Sequence, residues 1–303
     1  MPTIHANGVA LHYLQAGTGP DLIMLHGLSG NLATWHHRIV PLLQDDFRIT
    51  TYDLRGHGRS SMPPSGYTTH DMSADLLALM DGLGIASAHL AGHSFGADIA
   101  LHFALLYPAR AGRLTLIEPG IAALVHGRSD GEWGGWRQWA RDLERLTGEP
   151  VPPEHRTDLG YMLRRSIEVQ VLSGPLKGLP LRTDRIFRLL DTTTIIADHA
   201  VVGELTLDNL AAIPHQKLLI CDGESASISS FTVLRTLLTN CTALVVPGTQ
   251  MPHFAPLEAP ASLIEHVTRF LGIHPHPDAV SPAPVGLPFT MSKHDADRSQ
   301  DHP

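Results

Sequence analysis

The chain has 303 residues, 43 % hydrophobic and 17 % charged, which is enough apolar material for one large core. Its 22 basic and 30 acidic residues leave a formal charge of −8, which repels phosphate backbones and argues against a nucleic-acid partner. No apolar run reaches the ~20 residues needed to cross a bilayer, and Met1-Pro2-Thr3-Ile4-His5 lacks the basic and apolar regions of an export signal, so no membrane association and a cytoplasmic location are expected.

From the N-terminus, Thr3 to Tyr13 reads as a hairpin around Asn7-Gly8, a favoured two-residue turn. Short apolar runs at Leu22–Leu25, Arg48–Tyr52, His89–Gly92 and Leu114–Ile117 give the third to sixth strands. Between them, Met72, Leu76, Leu79, Met80 and Leu83 recur at helical spacing in Asp71–Leu83, which Gly82 and Gly84 end, and a second helical run covers Asp98–Tyr107. Strands alternating with helices predict an α/β fold, a mostly parallel sheet flanked by helices.

After Glu118-Pro119-Gly120 the alternation fails for about 90 residues. This stretch carries amphipathic pieces such as Met162–Leu172. It also carries Trp133, Trp136 and Trp139, which one helix face accommodates as packing or as substrate lining. Strand character returns at Lys217–Cys221 and Thr242–Pro247, and a closing helix is expected over Leu257–Leu271. From His274 onward, prolines and charges without periodicity predict a disordered tail. Cys221 and Cys241 sit in or beside apolar strands and are expected as free thiols.

Gly92-His93-Ser94-Phe95-Gly96 joins the fifth strand directly to a helix. A serine there is forced onto a sharp turn with its hydroxyl exposed at the strand's carboxyl end, a nucleophile's position.

With His26-Gly27-Leu28, Asp53 to Ser60, the Ser94 turn and Met251-Pro252-His253-Phe254-Ala255-Pro256-Leu257-Glu258 in this order, the chain resembles an α/β-hydrolase from about Thr3 to Gly272. The resemblance implies an eight-stranded sheet with a helical lid after the sixth strand. Core then occupies residues 1–120 and 214–272, the lid 121–213 and the tail 273–303.

A serine hydroxyl needs a base and a group to orient it. The resemblance puts that base at His253, in the loop before the closing helix. His93 is read as turned away from the nucleophile, His26 and His57 as structural, and Asp53, Arg55 and Arg59 as ties between loops. The backbone N–H groups of Leu28 and Phe95 are the expected oxyanion hole.

The acid departs from the family pattern. Most relatives carry an aspartate a few residues beyond the glycine that follows the seventh strand, but Gly223-Glu224-Ser225-Ala226-Ser227-Ile228 offers alanine and serine there. Glu118, 24 residues past Ser94 at the end of the sixth strand, is the natural replacement, with Asp222, Glu224 and no acid at all as alternatives.

The 20 histidines include no His-Glu-x-x-His, and His274-Pro275-His276-Pro277 falls in the tail, so neither a metal nor a cofactor is expected. The expected activity is a serine hydrolase cleaving a carboxylic ester or thioester of a small acyl substrate through an acyl-enzyme. Alternatives on the same fold are a carbon–carbon bond hydrolase, a lactonase, a lyase or cofactor-independent oxygenase, and a non-catalytic ligand receptor. A serine at the turn argues against dehalogenation and epoxide opening, which use a carboxylate nucleophile in the resembling families.

Overall fold

Eight strands form one sheet in the order β1-β2-β4-β3-β5-β6-β7-β8. The computed structural model describes residues 2–127, 132–172, 183–247, 253, 256 and 260–272. β1 (Thr3–Ala6) and β2 (Val9–Ala16) pair antiparallel across Asn7-Gly8, whose φ values of 48° and 76° suit the two-residue turn read from the sequence. β2 also runs antiparallel to β4 (Arg48–Tyr52). Every pairing from there to the other edge is parallel, through β3 (Asp21–Leu25), β5 (Ala88–His93), β6 (Ala111–Ile117), β7 (Lys217–Asp222) and β8 (Cys241–Val246).

Side chains alternate across this sheet and divide the core in two. Leu22, Met24, Leu218 and Ile220 face one layer, with Trp35, Ile39, Leu43, Leu263 and Val267 from α1 (Ala33–His36), α2 (Val40–Leu43), the α1–α2 loop and the closing helix Pro260–Leu271. Ile23, Leu25, Leu90 and Leu219 face the other, with Met72, Leu76, Leu79 and Met80 of α3 (Thr69–Gly82) and Phe103 of α4 (Phe95–Leu106). Helices thus cover both faces, as a parallel sheet requires.

Two helix starts differ from the sequence reading. α3 begins two residues before Asp71, because Thr68 and Asp71 form a capping box that the apolar spacing does not reveal. α4 begins at Phe95 rather than Asp98. Every residue from Phe95 to Ala104 is buried, so no polar face marks where that helix starts.

Between β6 and β7 the described residues form helices and no strand: α5 (Ala122–Val125), α6 (Gly135–Thr147), α7 (Leu159–Leu172), α8 (Thr183–Thr192), α9 (Ile195–His199) and α10 (Leu207–Ala212). The tryptophans pack this insert. Trp133 Nε1 donates to Ser230 Oγ on α11 (Ile228–Leu237) at 3.1 Å, Trp139 Nε1 donates to Ser166 Oγ on α7 at 2.8 Å, and the Trp136 ring lies between the two. Cys221 is buried and Cys241 half-buried, and both are free thiols. The His253 loop at 248–252 and 254–255, the start of the expected closing helix at 257–259, and the expected tail at 273–303 lie outside the described residues.

Candidate active site

The turn at Ser94 is dictated by its glycines. A methyl group on Gly92 would meet the Gly96 carbonyl oxygen at 2.3 Å, and one on Gly96 would meet the Leu25 carbonyl oxygen at 2.4 Å. Only hydrogen at both positions lets β5 pass into α4 beside the end of β3. Ser94 itself takes φ 53° and ψ −125°, a region side-chain-bearing residues avoid, and its N–H is held by the Ile117 carbonyl of β6 at 2.8 Å. The half-buried hydroxyl stands at the carboxyl edge of the sheet.

Three side chains from three separate elements meet there. His253 Nε2 lies 2.9 Å from Ser94 Oγ, and His253 Nδ1 lies 2.6 Å from Glu118 Oε2. Glu118, the residue after β6, is fully buried and both of its oxygens accept further hydrogen bonds. Ser225 Oγ donates to Oε2 at 2.8 Å and the Asp222 N–H donates to Oε1 at 3.0 Å. Burial pushes this carboxyl up, but the His253 charge and the hydrogen bonds from His253 and Ser225 outweigh it and hold the group below its ordinary range. Nδ1–H therefore faces a carboxylate, which leaves the Nε2 lone pair for the serine proton.

Ser225 and Ser227 explain the missing aspartate. They occupy the stretch after β7 where the family's acid is expected, and they serve the carboxylate arriving from β6 instead. Ser225 donates to Glu118, and Ser227 Oγ lies 3.3 Å from His253 Nδ1. Asp222 faces its own turn, with Oδ1 accepting the Glu224 N–H at 2.8 Å.

The two residues read as an oxyanion hole belong to segments that run beside the serine. Phe95 opens α4 directly after it, and the Gly27-Leu28 backbone follows β3 so closely that a methyl on Gly27 would come within 3.1 Å of Ser94 Cβ. His26 fixes this loop, since its Nδ1–H donates to the Gly27 carbonyl at 2.8 Å and its Nε2 accepts the Leu54 N–H at 3.0 Å. Burial, together with the neighbouring His57, drives the His26 pKa down to about 3, consistent with this neutral tautomer. The buried Asp53 accepts from His12 Nδ1, Leu32 N and Arg59 N, each at 2.8 Å, and Arg55 Nε donates to Asp75 at 2.6 Å. These are the loop ties that the sequence suggested.

Two residues have a part in the site that the sequence reading did not assign them. His93, read as turned away from the nucleophile, packs its ring against that of His253 at 4.9 Å and donates Nε2–H to the His253 carbonyl at 2.8 Å. Burial lowers its pKa to about 4, so it stays neutral near pH 7 and braces the His253 ring. Asp98, one turn into α4, accepts the Gly120 and Ile121 N–H groups at 3.1 Å each and pins the loop that carries Glu118. The sequence signal for Asp98 is a lone acid in an otherwise apolar helical run.

This fold and this arrangement of serine, imidazole and carboxylate define a class of protein. The chain belongs to the α/β-hydrolase fold family, whose model matches residues 20–181. Among individual proteins, it is 39 % identical over 114 residues to an epoxide hydrolase 2 of Siraitia grosvenorii, covering 37 % of this chain and 36 % of that one. The chain thus spans about a third of the length of the curated epoxide hydrolases it matches. It is 38 % identical over 261 residues to the dihydrolipoyllysine-residue acetyltransferase component of an acetoin cleaving system of Pseudomonas putida, covering 84 % of this chain and 64 % of that one. Among solved structures, Cfl2 of Burkholderia cenocepacia superposes with a TM-score of 0.67 at 26 % identity, covering 88 % of this chain and 94 % of that one.

Proposed function

We propose that the chain is a serine hydrolase acting on a carboxylic ester or thioester of a small acyl substrate through an acyl-enzyme, with Ser94 as nucleophile, His253 as base and Glu118 as orienting acid. One observation carries this reading: the continuous path from Ser94 Oγ through the two nitrogens of His253 to Glu118, at 2.9 and 2.6 Å. Ser94 Oγ attacks the carbonyl carbon while His253 Nε2 takes its proton. The N–H groups of Leu28 and Phe95 stabilise the resulting oxyanion, an arrangement in which losing one donor typically costs about 10²–10³-fold in rate. The tetrahedral intermediate collapses, His253 returns the proton to the leaving alkoxide or thiolate, and water repeats the sequence to free the acid.

The epoxide hydrolase relatives share sequence without dictating the same chemistry here. A carboxylate that opens an epoxide forms an ester, which water can then cleave at the carbonyl. A serine that opens one forms an ether with no carbonyl to attack, so the enzyme would stop after one turnover. The serine at position 94 therefore favours acyl transfer, a preference in keeping with the acetyltransferase component named in the Pseudomonas relative. The helices of residues 121–213 act in this reading as the lid that shapes the acyl pocket, with His199 of α9 against the Phe95 ring at 5.3 Å.

The test is pre-steady-state release of nitrophenol from p-nitrophenyl acetate. A stoichiometric burst followed by slower turnover is expected, with both absent in Ser94→Ala. Undiminished turnover in that variant would remove the nucleophile and with it the mechanism.

A further inference from the structure

Remote from the Ser94 site, three side chains converge on one point. His70 stands in the first turn of α3, His102 is eight residues past Ser94 on α4, and Glu204 lies in the segment leading into α10. His70 Nδ1 is 3.3 Å and His102 Nε2 is 3.2 Å from the same Glu204 oxygen, and the three atoms lie within 4.8 Å of one another. We propose that His70, His102 and Glu204 form a divalent-metal site of the zinc class that straps the helical insert onto the core.

Each histidine nitrogen stands from the glutamate oxygen at a distance that fits two ligands of one ion. Zinc binds imidazole nitrogen and carboxylate oxygen at about 2.0–2.2 Å, so tetrahedral geometry sets donor atoms about 3.4 Å apart. The two histidine-to-glutamate distances match that edge. The His102 ring is already oriented, because it is fully buried and its Nδ1 lies 2.8 Å from Thr69 Oγ1. With its Nδ1 proton donated to that hydroxyl, His102 would present the Nε2 lone pair to an ion, which would take the place of the Nε2–H that donates to Glu204 in the other tautomer. His70 and Glu204 are each about half exposed, at 50 % and 51 %, which gives an ion entry from solvent and leaves a fourth position for water.

Mixed imidazole and carboxylate donors suit Zn²⁺ among the first-row divalent ions. The ion would tie α3 and α4, which pack against the sheet, to the insert's last segment. It would therefore stabilise the fold without touching Ser94. No sequence spacing could reveal the site, since the glutamate is 134 and 102 residues from the two histidines.

The experiment uses the full chain without a histidine tag, stripped with chelator and titrated with zinc chloride near pH 7.5 by calorimetry, with thermal melts in parallel. One tight equivalent and a rise in Tm are expected, and both should be lost in His70→Ala and Glu204→Gln, which alter half-exposed positions and leave the core intact. Thr69→Val should keep the site but weaken it about 10–100-fold through the freed His102 ring. The proposal is overturned if no saturable binding occurs up to roughly a hundredfold excess of zinc over protein. It is equally overturned if the tight equivalent survives in both ligand variants. In that case the ion occupies other groups, and loss of esterase activity on titration would locate it at His93, Glu118 and His253.

Discussion

Glu118 reaches His253 from the strand beside the serine's own, at 2.6 Å, short enough that a single atom change should be felt. Glu118→Gln keeps the shape but no longer fixes the Nδ1–H tautomer of His253, so kcat is expected to fall by roughly 10³–10⁴-fold. Asp222→Asn, which alters a carboxylate accepting the Glu224 amide, should keep most of the activity. Steady-state rates on one ester decide the matter, and the reverse ranking would transfer the acid to β7. Asp98 offers a second residue-scale prediction. Burial raises its pKa from 3.8 to about 7 against the two loop amides that favour the charged form. The folded chain therefore holds this proton more tightly than the unfolded chain, and the stability it contributes is complete below pH 4 and lost as pH rises towards 7. The loss amounts to something on the order of 4 kcal/mol. In Asp98→Asn that slope should vanish, so urea midpoints of wild type and variant should diverge between pH 4 and pH 7.

At the scale of elements, the site is assembled from three turns under strain. Ser94, Glu118 and His253 all hold positive φ, at 53°, 53° and 81°, although none is glycine. Such a conformation costs about 1–3 kcal/mol apiece and persists only where the surroundings over-determine it. For Ser94 the determinant is the close approach of β3, β5 and α4, with glycines where the backbones cross. Gly96→Ala would drive a methyl into the Leu25 and His26 carbonyls, at 2.4 and 2.7 Å. Because those atoms belong to backbone and cannot rotate away, about 1–3 kcal/mol of stability should be lost, together with most turnover. A denaturant melt and an ester assay on the same preparation measure both. An unchanged melt would mean that the elbow can open without cost. For Glu118 the determinants are Asp98 beneath the loop, and Ser230 Oγ donating to the Gly120 carbonyl at 2.8 Å.

At the scale of the whole molecule, the two-sided core is why so much could be read in one dimension. Parallel strands buried on both faces appear as unbroken apolar runs, and Leu22–Leu25 and Lys217–Cys221 were legible for that reason. The Gly92-to-Gly96 turn was legible because local chain geometry fixes the residue types allowed there, whereas His253 was reached through its place in the family's order of motifs. The start of α4 was not, since a helix buried on all sides loses its periodicity, and α3 was misplaced by two residues because its cap is polar. Lys217 illustrates the same limit. It stands at the start of β7, and its ammonium is buried against the carbonyls of Ile213, His215 and Thr239 at 2.7, 2.8 and 2.9 Å, partners that no local pattern indicates.

Sequence by itself determined the fold class, the strand succession and the serine at its sharp bend, because each follows from the local period of apolar residues or from steric limits within a few residues. Only the tertiary structure decided that Glu118 rather than Asp222 or Glu224 faces the imidazole, that His93 and Asp98 brace the site, and that His70, His102 and Glu204 share a point in space. Those facts depend on which strands lie side by side and where an inserted run of helices lands. Long-range packing sets both, and no spacing along the chain records them.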